Sequence, residues 1–395
     1  WYENKKFNSS DDTEKYPKVG IFFSRHLILR KNLLEINSLI YELEKNDIIP
    51  VPVFSQQKEH STIKCNGYSI DIGQLKNTDA IINCVSSFIL NEKIIDNNEN
   101  TILNIIDVPI FHAVCSTGQT EEEWRNNKQG ITAMNQIYWI AQPEFNGIIE
   151  PIVIFAASAN SDNENKEYIP IKDRIEFLIK RIKNWIKLSK IPKKERKVTI
   201  LLHNNPCAGA EASVGGGNGL DTFESVVELL KMMDKEGYYI ENIPANGKSL
   251  LEEIMRKKAI NEFRWTTIEE IVKKGGALFF VDKDKYQDYF NKLSEVNKKK
   301  MIENWGEFPG ESMVYEDKIV ITGLKFGNIK VMVEPKRGCY GSRCDGEVCK
   351  ILHNPEIPPT HQCYAAFKWI QENSDLIISI GTHGYIEFLP GKSVG

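Results

Sequence analysis

No apolar run in the 395-residue sequence approaches the roughly 18 to 20 residues that a helix needs to cross a bilayer. The opening stretch WYENKKFNSSDDTEKY carries neither a basic segment nor the apolar core of a secretion signal, so a cytoplasmic location is expected. An excess of charge of either sign is also missing. Fifty Lys plus Arg stand against fifty-four Asp plus Glu, and a net charge of -4 argues against a basic nucleic-acid footprint and a polybasic membrane patch. Cysteine is sparse, eight residues in all, and several lie inside apolar strand-like runs, which fits reduced thiols better than a disulfide framework. What is present points to packed cores: 41% hydrophobic residues, with 7 Trp, 18 Phe and 14 Tyr, exclude intrinsic disorder. The length predicts two or three domains of roughly 150 residues each. A start at Trp1 and a stop at Gly395, directly after a dense run of unusual residues, read as a piece of a longer chain.

Short apolar runs rich in β-branched residues alternate with helical patterns, the signature of βαβ units and mostly parallel sheets. Lys18 to Phe23 reads as a buried strand, Leu33 to Lys45 as a helix with Ile36, Leu39, Ile40 and Leu43 on one face, and Ile48 to Phe54 as a strand that Pro50 and Pro52 push to a sheet edge. Strands at Ala80 to Val85, Ile110 to Val114 and Ile148 to Ala156 complete a first α/β domain over residues 1–160. Residues 161–196 read as a linking helix, with Ile175, Leu178, Ile179, Ile182 and Ile186 at helical spacing, and a charged linker whose Glu195 argues against an anion-binding patch. A second cycle opens with VTILLH, and Lys197-Val198-x-Ile200 echoes Lys18-Val19-x-Ile21. The expected architecture is two Rossmann-like α/β units joined by a helical linker, the second spanning 197–395. Within it, a strand near Tyr239, one helix through Tyr286 to Trp305, strands near Lys318 to Ile321 and Ile329 to Val333, a helix at His361 to Glu372 and a strand at Leu376 to Ile380 are predicted.

Ligands of open α/β sheets sit beyond the carboxyl ends of the strands, and three constellations fall there. Gly217, Asn218, Gly219 and Asp221 belong to a glycine-rich loop entering a helix, which suits close approach to a carboxylate or phosphate and equally suits a loop capped by Asp221 or Thr222. After Leu376 to Ile380 comes GTHGYIEFLPGKS. A helical turn there would place His383 and Glu387, four apart, on one face, where imidazole and carboxylate meet one metal ion or one proton-transfer centre; a capped surface turn fits as well. The PGKS tail is not a nucleotide loop: that motif needs glycine five positions before Gly391, and Ile386 stands there. In the third, Pro358 and Pro359 stiffen the approach to a helix that Thr360 or His361 begins, and His361 is a candidate ligand. Cys339, Cys344 and Cys349 match no common zinc or iron–sulfur spacing, whereas Arg337 and Arg343 are candidate binders of ligand carboxylates.

PPTHQ, GTHGYIEFLPGKSVG and the upstream GNGLDT together resemble the large subunit of cobaltochelatase of the CobN type and, more distantly, the H subunit of magnesium chelatase. The resemblance runs from KVGIFF to the last residue, and PKRGCYGSRCDGEVCKILHNPEIPPTHQ is similar to the cobalt branch. It implies a ligase that inserts Co2+ into a corrin-type tetrapyrrole in cobalamin biosynthesis, or Mg2+ into protoporphyrin IX, with ATP and Mg2+ on separate AAA+ partner subunits. In the family the THG, Glu and PGK residues belong to the tetrapyrrole-binding and catalytic region, here His383, Gly384, Glu387, Gly391 and Lys392. The chemistry the resemblance implies needs a base for two pyrrole N–H protons, for which Glu387 is the candidate, and an imidazole that ferries metal, for which His383 or His361 is. Tyr385, Phe388 or Tyr340 would lie on the macrocycle, and Arg337, Arg343 and Lys392 would meet its carboxylates. A piece of the subunit is expected to be inactive alone. Two rival classes stay open: a non-catalytic tetrapyrrole-binding sensor or scaffold, and a sugar-nucleotide transferase built from two such units.

Overall fold

The computed structural model describes residues 15–54, 63–65, 68–70, 72–86, 106–159, 167–204, 214–261, 266–338, 354 and 356–394. The chain divides into two units, Trp1–Ser189 with Lys392–Gly395, and Lys190–Gly391. Both are mixed α/β; the first unit's main sheet is mostly parallel, and the second unit combines parallel and antiparallel pairings.

In the first unit, β1 (Lys18–Phe23), β2 (Ile49–Phe54), β3 (Ala80–Asn83), β4 (Ile110–Ser116), β5 (Ile149–Ala157) and β6 (Tyr168–Pro170) form one sheet in the order β2-β1-β3-β4-β5-β6. Every pairing is parallel except that of β6 with β5. Strands such as KVGIFF and IFHAVCS are apolar along nearly their whole length because parallel strands are buried on both faces. The two prolines of β2 lie on an edge strand, where a missing N–H costs no ladder bond. On one face, α1 (Leu34–Lys45) packs Ile36, Leu39 and Leu43 onto Val19, Ile21 and Phe23; Phe22, Ile81 and Ile110 face the other way, with Val53 and Leu75. A short helix, α2 (Glu121–Asn126), begins at a capping box between Thr120 and Glu123.

The helix expected as a connector, α3 (Lys172–Lys190), is a wall of this unit. Ile175, Leu178, Ile179, Ile182 and Ile186 are all buried in the same core as α1, since an amphipathic stripe this apolar is stable only against another apolar surface. Between it and the second unit's first strand lies one 3-10 turn, Lys193–Glu195.

The second unit runs β7 (Val198–Leu202), α4 (Thr222–Lys235), α5 (Gly247–Lys257), β8 (Ala277–Val281), α6 (Lys283–Phe290), α7 (Glu295–Trp305), β9 (Val314–Tyr315), β10 (Lys318–Thr322), β11 (Leu324–Phe326), β12 (Ile329–Val333), α8 (His361–Asn373) and β13 (Leu376–Ile380). One sheet has the order β11-β12-β7-β13, with β12 and β13 both parallel to the central β7; a smaller antiparallel sheet has the order β8-β10-β9. Val198, Ile200 and Leu202 pack with Val226, Val227 and Leu230 of α4 and Leu250 and Ile254 of α5. Leu201 and Met332 face Ala366, Trp369 and Ile370 of α8 and Tyr286 and Tyr289 of α6. Two expectations are corrected. The single helix through Tyr286 to Trp305 is two, because the Ser294 side chain accepts from Asn297 N and starts a new one. Around Tyr239 there is no strand: α4 is followed by Gly237 at φ +91° and a loop.

Candidate functional site

In the second unit the chain leaves β7 toward β12 on one side and β13 on the other, so the strand order reverses at β7. Such a switch point opens a crevice at the strands' carboxyl ends. The residues just beyond those ends are His203 after β7, Glu334 after β12 and, three residues past β13, His383. Backbone pairing carries one step past the strands and fixes them together: His203 N donates to Ile380 O at 3.0 Å, and Glu334 N to Leu202 O at 2.9 Å.

His203 and Glu334 are both buried, and Nδ1 of the imidazole lies 3.3 Å from Glu334 Oε2. With the carboxylate accepting, this contact puts the proton on Nδ1. Glu334 Oε1 accepts from Tyr385 N at 2.8 Å. The Tyr385 ring is buried against His203, at 5.4 Å between centroids, and its hydroxyl donates to Asn204 O. Above this buried pair stands His383, exposed, its ring 4.9 Å from that of His203 and edge-on to Phe388 at 5.8 Å. Gly384 lets the backbone come this close, since a Cβ there would stand 3.0 Å from Glu334 Oε1. From behind, Gln362 Nε2 donates to Asn261 Oδ1, and Asn261 Nδ2 to Val333 O, each at 2.9 Å, which ties the start of α8 to the backbone next to Glu334. An exposed imidazole backed by a buried imidazole and carboxylate can pass a proton inward or present a nitrogen donor to a metal ion. Among the described residues, no group of three or more His, Cys, Asp or Glu is arranged to hold a metal ion.

Comparison with known proteins identifies the family. The family described as CobN/Magnesium Chelatase matches residues 1–395. The chain belongs to the CobN/magnesium chelatase family. An uncharacterised protein of Methanocaldococcus jannaschii is 45% identical over all of this chain and 33% of its own length. The aerobic cobaltochelatase subunit CobN of Pseudomonas aeruginosa is 26% identical over 73% of this chain and 22% of that protein. Among solved structures, the catalytic subunit of cobaltochelatase from Mycobacterium tuberculosis has a TM-score of 0.74 at 23% identity, covering 96% of this chain and 31% of that one, which shows a shared fold. The chain spans about a third of the length of the first curated relatives it matches.

Set in that family, the residues expected from sequence fall into separate places. Tyr385 and His383 meet at the β7 crevice, and Asn218 joins them there, its N–H donating to Thr382 Oγ1 at 2.9 Å. Gly217 and Gly219 form the turn before α4, and Asp221 caps that helix by accepting from Glu224 N. The run after His383 makes a 3-10 turn, Ile386–Phe388, that begins three residues further on, so the spacing of four does not put His383 and Glu387 on one helical face. The Glu387 side chain, Tyr340, Arg343, Cys339, Cys344 and Cys349 lie outside the described residues.

Three expected ligands are engaged elsewhere. His361 is buried at the start of α8, where Nε2 donates to Gly306 O at 2.8 Å and Nδ1 accepts from Tyr286 Oη. Burial holds its pKa below the ordinary value, in keeping with a neutral ring, and neither nitrogen is left for a metal. Arg337 is buried, and its Nη2 donates to Asn354 O at 2.7 Å and Ile357 O at 2.6 Å, pinning the PPT approach to α8. Lys392, within the first unit, donates to the carbonyls of Trp124, Arg125 and Asn127 at the end of α2, where a cation complements the helix dipole. Tyr286→Phe is expected to lower stability by about 1–2 kcal/mol in urea unfolding, because the buried His361 Nδ1 loses its donor. Metal affinity unchanged and stability reduced is the expected pattern; the reverse would restore His361 as a ligand.

Sequence reasoning did not find His203, Asn204, Asn261, Glu334 or Gln362. For two of them a signal exists. VTILL is followed by His203 and IKVMV by Glu334, each a chemically capable residue directly after five buried strand positions.

Proposed function

We propose that the chain is the part of a chelatase large subunit that binds a tetrapyrrole and passes a divalent metal ion into it, with ATP hydrolysed on separate AAA+ subunits. The observation that carries this reading is the convergence of His203, Glu334 and His383 at one strand switch point in a member of this family. Metal insertion requires that two pyrrole N–H protons leave while the incoming ion exchanges water for ring nitrogens. His383, exposed at the mouth, would hand over the ion; the His203–Glu334 pair beneath would take a proton, with Glu334 stabilising the imidazolium that forms. Glu387, which carries the resemblance's carboxylate, is the candidate for the second proton.

Cobalt accepts imidazole nitrogen readily, whereas magnesium prefers oxygen ligands and keeps its waters, so two neighbouring histidines favour Co2+ and a corrin-type ring as substrates. Magnesium and protoporphyrin IX are the alternative. The deciding experiment assays the full-length subunit with its ATPase partners and ATP, giving Co2+ and Mg2+ in parallel with each macrocycle. ATP-dependent cobalt insertion is expected. Insertion of magnesium alone would move the protein to the other branch, and tetrapyrrole binding without insertion of either metal would make it a sensor or scaffold.

A further inference from the structure

The turn that carries His383 has little of its own to hold it. From Gly381 to Phe388 the residues whose burial is described are exposed or half-buried, with one exception: Tyr385, which is 2% exposed. That burial conflicts with the role expected from the sequence. A ring that stacks on a macrocycle must offer it a face, and Tyr385 offers none.

Three contacts show what the residue does instead. Its ring lies 5.4 Å from that of His203, between centroids, at 58°. Its hydroxyl donates to Asn204 O, on backbone that is itself fixed, since Gly215 N donates to His203 O at 2.7 Å and Asn204 forms a β-bridge with Val214. With the side chain anchored there, the backbone of the same residue is placed, and Tyr385 N donates to Glu334 Oε1 at 2.8 Å. Holding one carboxylate oxygen sets the direction of the other. Oε2 is turned to His203 Nδ1, 3.3 Å away. A single residue therefore bears on both members of the buried pair, on the imidazole through its ring and on the carboxylate through its N–H. His383, two residues earlier, shares the turn that this anchor holds.

We propose that Tyr385 is the positioning residue of the His203–Glu334 pair: its buried side chain pins the turn after β13, aims the carboxylate at His203 Nδ1 and so fixes the imidazole tautomer, without touching the macrocycle. The consequence for catalysis rests on the reading of that pair as the group that takes a proton. Geometry held by packing and hydrogen bonds loses rate steeply when it loosens, about a hundredfold for a misplacement of roughly 1 Å.

Tyr385→Leu removes ring and hydroxyl, and Tyr385→Phe the hydroxyl alone. In the full-length subunit with its ATPase partners, the turnover number for metal insertion is expected to fall about a hundredfold in the first and about tenfold in the second, with tetrapyrrole affinity by fluorescence quenching within about twofold of the parent's. Nitrogen NMR of the chain with labelled histidines reads the pair without turnover. His203 is expected as the Nδ1–H tautomer in the parent and as a mixture of both tautomers in the Leu variant, with the Phe variant between them. If a thermal melt shows that the Leu variant does not fold, the Phe variant carries both measurements. Tetrapyrrole affinity lost in step with turnover would put the ring on the macrocycle and overturn the proposal. A lowered melt with the His203 tautomer unchanged would overturn it too, by reducing Tyr385 to a packing residue. A tautomer that moves while turnover holds would uphold the positioning role and remove His203 and Glu334 from the chemistry instead.

Discussion

Glu334→Gln in the full-length subunit is expected to lower metal insertion by about a hundredfold or more while the protein still folds and still binds tetrapyrrole. The amide keeps an oxygen to accept from Tyr385 N, the contact that holds the turn after β13. What it removes is the charge facing His203 Nδ1. An amide nitrogen in that place donates where the carboxylate accepted, so the ring is driven to the other tautomer, with Nε2 no longer able to take a proton. The measurement is turnover with each metal beside fluorescence quenching by the macrocycle and a thermal melt. Loss of turnover with binding and melting near the parent's is the expected result; turnover within twofold of the parent would remove the pair from the chemistry. Glu387→Gln, read the same way, is expected to stop insertion and spare binding, and comparing the two variants tells whether the two pyrrole protons leave through one carboxylate or two.

Much of the scaffold under this site was legible because it follows from periodicity. Fully apolar runs bounded by polar turns gave β1, β4, β7 and β12, and a stripe at helical spacing gave α1, α4 and α8 within a residue or two at each end. Periodicity does not say what a stripe packs on, which is why α3 read as a connector although its five buried residues complete the first core. The site was legible only where glycine, proline and histidine crowd together. PPTHQ stood out for that reason, yet its His361 and Gln362 turn out to be buried polar links, one to Tyr286 and Gly306 and the other through Asn261 to the end of β12. His203 and Glu334 are 131 positions apart, and only the parallel pairing of β7 with β12 brings them together; no local spacing encodes that. A chemically capable residue directly after a fully buried strand is the local trace such a site leaves, and it marks both.

Gly381→Ala is expected to cost about 2 kcal/mol or more and to disable the site, although the change adds one methyl group. Gly381 is the first residue after β13, and a Cβ built there would stand 2.4 Å from His203 Cβ and 3.3 Å from Gly216 O. Neither neighbour is the far end of a flexible chain. His203 Cβ is held by the backbone pairing of His203 N with Ile380 O and by the imidazole's contact with Glu334, so relief requires β7 and β13 to separate at their ends. That separation would move His203 away from His383 and from the carboxylate together, coupling the stability loss to a loss of metal insertion. Gly391→Ala is the control within the same motif, because a Cβ there meets nothing within 4 Å and the change should stay within about 0.5 kcal/mol. Urea unfolding of the two variants side by side decides it. If Gly381→Ala proves as stable and as active as Gly391→Ala, the strand ends yield freely, and the close packing that positions His203, Glu334 and His383 is not what the site depends on.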